Sequence, residues 1–134
     1  MNDKELIQKA IDNLINSYSP YSHFAVSSAL LTKDENVYLG VNIENSSFSV
    51  TSCAERSAFF SAISNGEKSF SKIAIVGGEN GIITDFCTPC GVCRQVMAEF
   101  CDENFEILLF NGKEQKILKL NKLLPFSFKL EKNK

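Results

Sequence analysis

Two stretches decide the fold: Thr51-Ser52-Cys53-Ala54-Glu55-Arg56 and Pro89-Cys90-Gly91-Val92-Cys93-Arg94-Gln95. Each places cysteine where a helix is expected to begin. Cys90 and Cys93 are three residues apart, which at a helix start puts both sulfurs on one face, one turn apart. Unpaired N–H groups and the positive end of the helix dipole favour thiolates there, below the free-thiol pKa of ~8.5. Pro89 suits the position just before the helix, where its missing N–H costs little. Gly91 removes one side chain and leaves room for backbone or substrate to approach. Cys53 stands at the second helix start. Cys53, Cys90 and Cys93 therefore read as thiolate ligands of one zinc ion, with a fourth tetrahedral position left for water. Glu55, two residues from a ligand, reads as the proton carrier beside it. Three thiolates leave surplus negative charge on the metal, and Arg56 is the nearest group to offset it.

Duller readings compete at each position. A lone C-x-x-C also suits a redox pair, but that leaves Cys53 with Glu55 unexplained. A structural zinc wants a fourth protein ligand, and Cys87 stands at even spacing with Cys90 and Cys93. Ser52 and Glu55 are also at capping-box spacing, so Glu55 can serve a helix cap alone. Cys101 reads as a core thiol. His23, the only histidine, has no metal role in this reading.

Outward from these motifs, the chain alternates helices and strands. A first helix is expected over residues 3–17, capped by Asn2 with Glu5 at capping-box spacing. Its apolar stripe is Leu6, Ile7, Ala10, Ile11, Leu14 and Ile15. Pro20 lies in the break that follows. Residues 23–31 read as a buried strand and residues 37–41 as its hairpin partner. Residues 42–52 are rich in Ser and Asn and read as a loop. The second helix spans 53–65, with Gly66 as its stop. Residues 71–77 form a central strand and 78–88 a loop. The third helix runs from Cys90 to Cys101. Residues 105–110 and 115–120 are strands joined at Asn111-Gly112, with a short turn of helix over 121–124. The tail from about residue 129 is polar, and its last four residues are expected to fray. The pattern implies one domain over residues 1–134, a three-layer α/β/α fold with a mixed sheet of about five strands.

Composition narrows the partners. The 134 residues are 44% hydrophobic and 22% charged, with a formal net charge of −2. That charge is poor for gripping a nucleic-acid polymer. The N-terminal stretch is amphipathic rather than continuously apolar, unlike a signal peptide, and the apolar runs are too short to span a bilayer. A cytoplasmic protein with no membrane partner is expected. The five cysteines are an odd number, which argues for metal or buried thiols over a disulfide framework. A chain this small gains stability by oligomerising.

Cysteine, a glutamate two residues on, and a downstream P-C-x-x-C together form the signature of zinc nucleobase deaminases. With Ser19-Pro20-Tyr21-Ser22-x-Phe24, Asn42-Ile43-Glu44-Asn45 and the two motifs above, the chain resembles the cytidine deaminase family. The likeness is to its small, tetrameric, all-cysteine form, over about residues 3–128. The resemblance implies one zinc per subunit on Cys53, Cys90 and Cys93, with Glu55 as proton shuttle and Arg56 tempering the thiolate charge. It implies that Asn42 and Glu44 bind the ribose hydroxyls, that Phe24 lies against the pyrimidine and that the Ala54 backbone contacts the base edge. Phe128 would reach a neighbouring subunit's site in a homotetramer. The implied activity is hydrolysis of cytidine and 2′-deoxycytidine to uracil nucleosides and ammonia, in pyrimidine salvage. The alternative is deamination of a cytosine-containing antibiotic such as blasticidin S; Asn42-x-Glu44 favours the ribose substrate. Without the resemblance, Phe24 and Phe128 read as core. Ser27 stands where the family usually has glycine and Phe48 where tyrosine is common. Phe126-Ser127 replaces a smaller pair, and Cys87 is an extra thiol.

Overall fold

The computed structural model describes residues 1–132; Asn133 and Lys134 of the expected tail lie outside the described residues. Helix α1 runs Asp3–Asn13, and Asn2 caps it by accepting from the Glu5 N–H at 2.8 Å. It is shorter than the 3–17 expected. Leu14–Asn16 tighten into a 3-10 turn, and the chain then leaves the helix to pair Tyr18 with Ile43. The Tyr18 N–H donates to Asn42 O, and the Glu44 N–H donates to Tyr18 O. Ile15 consequently falls off the apolar stripe and is 87% exposed.

Strands β1 (Phe24–Thr32), β2 (Val37–Val41), β3 (Phe70–Glu79), β4 (Glu106–Phe110) and β5 (Gln115–Lys119) form one five-stranded sheet in the order β2-β1-β3-β4-β5. Only β3 and β4 are parallel, among antiparallel neighbours, so the sheet is mixed as expected. β3 extends two residues past Gly77 because β1 is long enough to pair with it: Ala25 faces Gly78 and Phe24 faces Glu79. His23 falls outside β1, with φ 60° in the turn before it. Helix α2 (Ala54–Ser64) links β2 to β3. Helix α3 (Gly91–Phe100) makes the crossover between the parallel strands, and the four-residue α4 (Leu120–Leu123) follows β5.

The period-2 alternation of the strands divides the core between two faces. On one, Leu6, Ile7 and Ala10 of α1 pack on Ala29, Ala74, Val76 and Leu108. On the other, α2 and α3 bury Ala58, Phe59, Ala62 and Met97 against Leu30, Ile73, Ile75 and Ile107. This gives the three-layer arrangement. Phe59 is fully buried, with Phe70 edge-on at 5.1 Å. Cys101 lies in the same core, as expected.

Two details of sequence fix α2, which carries half of the site. At its far end, Gly66 takes φ +90°. Its N–H donates to Ile63 O while the Glu67 N–H reaches Ala62 O, the paired closure that glycine permits. At its near end, Gly40 of β2 faces the first turn; a Cβ there would lie 2.2 Å from Ala54 O and 2.5 Å from Ala58 N. The helix start thus rests on bare strand backbone.

Candidate active site

Cys53 and Cys90 are the N-terminal caps of α2 and α3, both extended and neither bonding its own helix through its side chain. Both sulfurs are therefore free of capping duty. The helices turn their first residues toward each other, and the sulfurs of Cys53, Cys90 and Cys93 all lie within 4.8 Å of one another. Cys53 Sγ and Cys90 Sγ are 3.7 Å apart. Among the described residues this is the one cluster of three or more such side chains able to hold a metal ion. Cys87 is not in it, which removes the four-cysteine reading. The donor set fits zinc: three thiols at two helix N-termini, with one coordination position left over.

Arg56 sits where the charge argument puts it. Its Nη2 donates to Cys53 Sγ at 3.3 Å and to Thr51 O at 3.3 Å. A hydrogen bond from Cys93, ahead of those from Arg56 and Cys90, holds the Cys53 thiol down at about 5. The same bond, with burial, pushes the Cys93 thiol far up. The cluster thus yields one thiolate readily and resists further ionisation. A divalent cation is what makes three thiolates acceptable in one place.

Glu55 is 4% exposed, and its Oε1 has no hydrogen-bond partner among the described residues. It occupies the second position of α2, while Ser52 lies before the cap and bonds Cys53 O and Ser57 Oγ instead. The capping-box reading of Glu55 therefore fails. Burial pushes its carboxyl up to about 7. A carboxyl that exchanges its proton near neutral pH is suited to general acid–base work.

A cavity of about 220 Å³ opens beside the cluster, and Cys53, Ala54, Glu55, Cys90, Asn42 and Glu44 are all on its wall. Phe24 and Phe128 are not; they are 41% and 65% exposed. A larger cavity of about 610 Å³ lies between the end of α3 and the C-terminal segment. It holds none of the thiol cluster, so the smaller one is where chemistry can occur.

Asn42 and Glu44 are held rigidly on the loop after β2. Asn42 Oδ1 accepts from the Val26 N–H at 3.0 Å and from Ser17 Oγ, and its Nδ2 donates to Phe24 O at 2.8 Å. Glu44 Oε1 accepts from the N–H groups of Tyr21 (2.9 Å) and Ser22 (3.1 Å), and Oε2 accepts from Ser22 Oγ. The Ser22 hydroxyl foremost holds the Glu44 carboxyl below its ordinary range.

Sequence reading misses several residues that shape the site. Ser28 is fully buried and its Oγ donates to Ala54 O at 2.9 Å, pinning the residue between Cys53 and Glu55. The pair Ser27-Ser28 in a mostly apolar strand was the available signal. Gly40, a glycine inside a strand, was another. Cys87 lines the cavity, and burial pushes its thiol up to about 11, so it faces the cavity as a neutral group. Gly91 gives open space: a Cβ there would meet nothing within 4 Å.

A sheet-based α/β/α domain that gathers three thiols and a buried carboxyl at two helix starts is a metal-dependent enzyme. The chain belongs to the family of the cytidine and deoxycytidylate deaminase zinc-binding region, whose model matches residues 1–109. Its cofactor is zinc. It is 43% identical over 132 residues to the cytidine deaminase of Sporosarcina psychrophila, covering 98% of this chain and 94% of that one. The crystal structure of cytidine deaminase from Burkholderia pseudomallei superposes with a TM-score of 0.87 at 38% identity, covering 96% of this chain and 100% of that one. The blasticidin-S deaminase of Bacillus cereus is more distant, at 32% over 130 residues, covering 94% and 91%.

Proposed function

We propose that this chain removes the C4 amino group of cytidine and 2′-deoxycytidine by hydrolysis, giving the uracil nucleoside and ammonia. The observation that carries the reading is Glu55. Its carboxyl is buried beside the thiol cluster with Oε1 unpartnered among the described residues, in the same cavity as Asn42 and Glu44. Cys53, Cys90 and Cys93 would hold the zinc. Zinc, when bound, acidifies a water and so supplies the nucleophile at neutral pH. Glu55 takes the proton that this water gives up and delivers it to N3 of the pyrimidine. As the water oxygen bonds to C4, its remaining hydrogen is taken up by the same carboxylate and passed to the C4 amino group; the C4–N bond then breaks, ammonia leaves and a C4 carbonyl remains.

The other residues orient the substrate. Glu44, kept ionised and fixed by three donors from Tyr21 and Ser22, accepts from the ribose hydroxyls. Asn42 Nδ2 has two hydrogens, and the one not given to Phe24 O serves the same diol. The Ala54 N–H opens α2 without an intrahelical acceptor and meets the base edge. Phe24 lies against the ring, where stacking contributes ~1–3 kcal/mol by analogy with bases on aromatics. Phe128 does so from a neighbouring subunit. The assembly is a homotetramer, consistent with the exposure of Phe48 (80%), Phe126 (104%) and Phe128 on a monomer. No helix among the described residues is long and apolar enough to cross a membrane. A cytoplasmic place in pyrimidine salvage fits a small nucleoside substrate.

The alternative, a blasticidin-S substrate, has the more distant likeness to support it. Asn42-x-Glu44 on the cavity wall favours the sugar diol. Incubation with cytidine, followed by ultraviolet absorbance, tests the reading. Rapid conversion that a zinc chelator abolishes is expected. No conversion by zinc-loaded protein, with turnover of blasticidin S, would replace it.

A further inference from the structure

The start of α3 is not supported by the sheet as the start of α2 is. Cys90 is exposed, Gly91 faces open space and Val92 is 58% exposed. One turn into the helix, Arg94 folds its side chain back. Its Nε donates to Pro89 O at 2.8 Å, and its Nη1 donates to Leu123 O at 2.8 Å. Pro89 is fully buried and directly precedes the first cysteine of the pair. Leu123 is the last residue of α4, a helix too short to satisfy its own final carbonyls. Two residues on, Pro125 has no N–H to offer. Both acceptors are therefore loose ends, and the planar guanidinium fork bonds them together.

The segment after α4 is carried on α3 as well. Gln95 Nε2 donates to Phe128 O at 3.2 Å, and Lys129 Nζ donates to Cys101 O at 3.3 Å. The turn that presents Cys90 and the segment that presents Phe128 are thus joined through adjacent side chains of one helix.

We propose that Arg94 is a positioning residue that sets the thiol turn and the Phe128 segment jointly. Through Pro89 it holds Cys90 in register with Cys53, and through Leu123 it fixes where the C-terminal aromatic points. The inference rests on the roles given above to the three cysteines and Phe128. Arg94 is neither in the thiol cluster nor on the wall of the cavity beside it.

The test uses the zinc-loaded full chain with Arg94→Ala, Arg94→Lys, Phe128→Ala and the Arg94→Ala/Phe128→Ala double variant. Zinc release to a chromogenic chelator is timed, and KM and kcat for cytidine are measured. Removing outer partners of metal sites typically costs 10–100-fold in affinity, so release from Arg94→Ala is expected to be about 10-fold faster or more. Its KM is expected to rise toward that of Phe128→Ala, and the double variant to add little to KM beyond Phe128→Ala. Arg94→Lys, which lacks the fork, is expected between wild type and Arg94→Ala on both measures, and it decides the matter if Arg94→Ala does not fold. Wild-type zinc release, or KM effects that multiply independently in the double variant, would overturn the proposal. If the wild-type chain fails to convert cytidine, the functional reading falls by itself, and zinc release still decides the role of Arg94.

Discussion

The starts of α2 and α3 face the same metal cluster but are held in opposite ways. The α2 start is packed into the sheet. Gly40 lies bare beneath Ala54, Ser28 bonds the Ala54 carbonyl, and Glu55 is almost wholly buried. The α3 start is open to solvent on its outer side and is held by Arg94 and the C-terminal segment. The difference assigns labour. Glu55, the proposed proton carrier, sits on the rigid side, where burial raises its carboxyl. The open side supplies two sulfurs and unfilled space at Gly91.

The comparison breaks first at Glu55. Glu55→Gln keeps the shape and all three thiols, so zinc content is expected to stay at the wild-type level while kcat falls by ~10²–10⁴. Metal analysis with initial rates on cytidine measures both. Near wild-type turnover would move the proton carrier elsewhere and leave the buried carboxyl unexplained. Cys90→Ala, on the open side, is expected to weaken zinc retention and activity together. Full retention would instead bring Cys87 back as a ligand.

Gly40→Ala probes the rigid side through packing. The added Cβ would lie 2.2 Å from a backbone oxygen, which no side-chain rotation relieves. We expect about 3 kcal/mol of destabilisation or more, the upper end of overpacking effects, read by urea unfolding. A near-neutral result would show that α2 can slide on β2, and the contrast between the two helix starts would weaken.

The carboxyl itself predicts a pH signature in chelator-stripped protein. Glu55 ionises near 7 when folded, against 4.5 for an unperturbed carboxyl. Between those values the unfolded chain gives up the proton first, so the contribution of Glu55 to stability falls as pH rises from 4.5 through 7 and levels off above, opposite in sign to that of the Cys53 thiol, which the comparison with Glu55→Gln separates from it. Below 4.5 both states are protonated and the term vanishes. That gap corresponds to roughly 3–4 kcal/mol at most. Glu55→Gln is expected to flatten this slope, making the variant the more stable protein above pH 7 and equal to the parent below 4.5. Parallel stability–pH curves for the two would mean that water reaches Glu55.

Much of this architecture was legible in the chain because local rules agreed with one another. Asn2 and Glu5, Gly66, Asn111-Gly112 and the short apolar runs of the strands each gave an element its place. The metal cluster was readable because ligand spacing and helix starts coincide at Cys90 and Cys93. What stayed hidden was long-range. Nothing local to α1 says that it must stop at Asn13, because the cause is the pairing of Tyr18 with Ile43. Nothing local to Gly40 says that Ala54 rests on it, or that Ser28 bonds that same carbonyl. Phe24 and Phe128 could be placed only by resemblance, and on one chain neither reaches the cavity wall.

The smallest expected effect sharpens the comparison from the open side. A methyl group at Gly91 meets nothing within 4 Å, so Gly91→Ala is expected to change stability by less than about 0.5 kcal/mol, as for surface positions. Its zinc content should be unchanged for the same reason. Activity is then the informative readout, because the space in front of Gly91 is empty on one chain but lies beside the ligand Cys90. If KM rises while stability and zinc hold, substrate or a neighbouring subunit occupies that space, and glycine is there to admit it. If KM holds as well, the openness of the α3 start serves the two thiols alone, and the contrast with the packed α2 start is one of stability rather than of access.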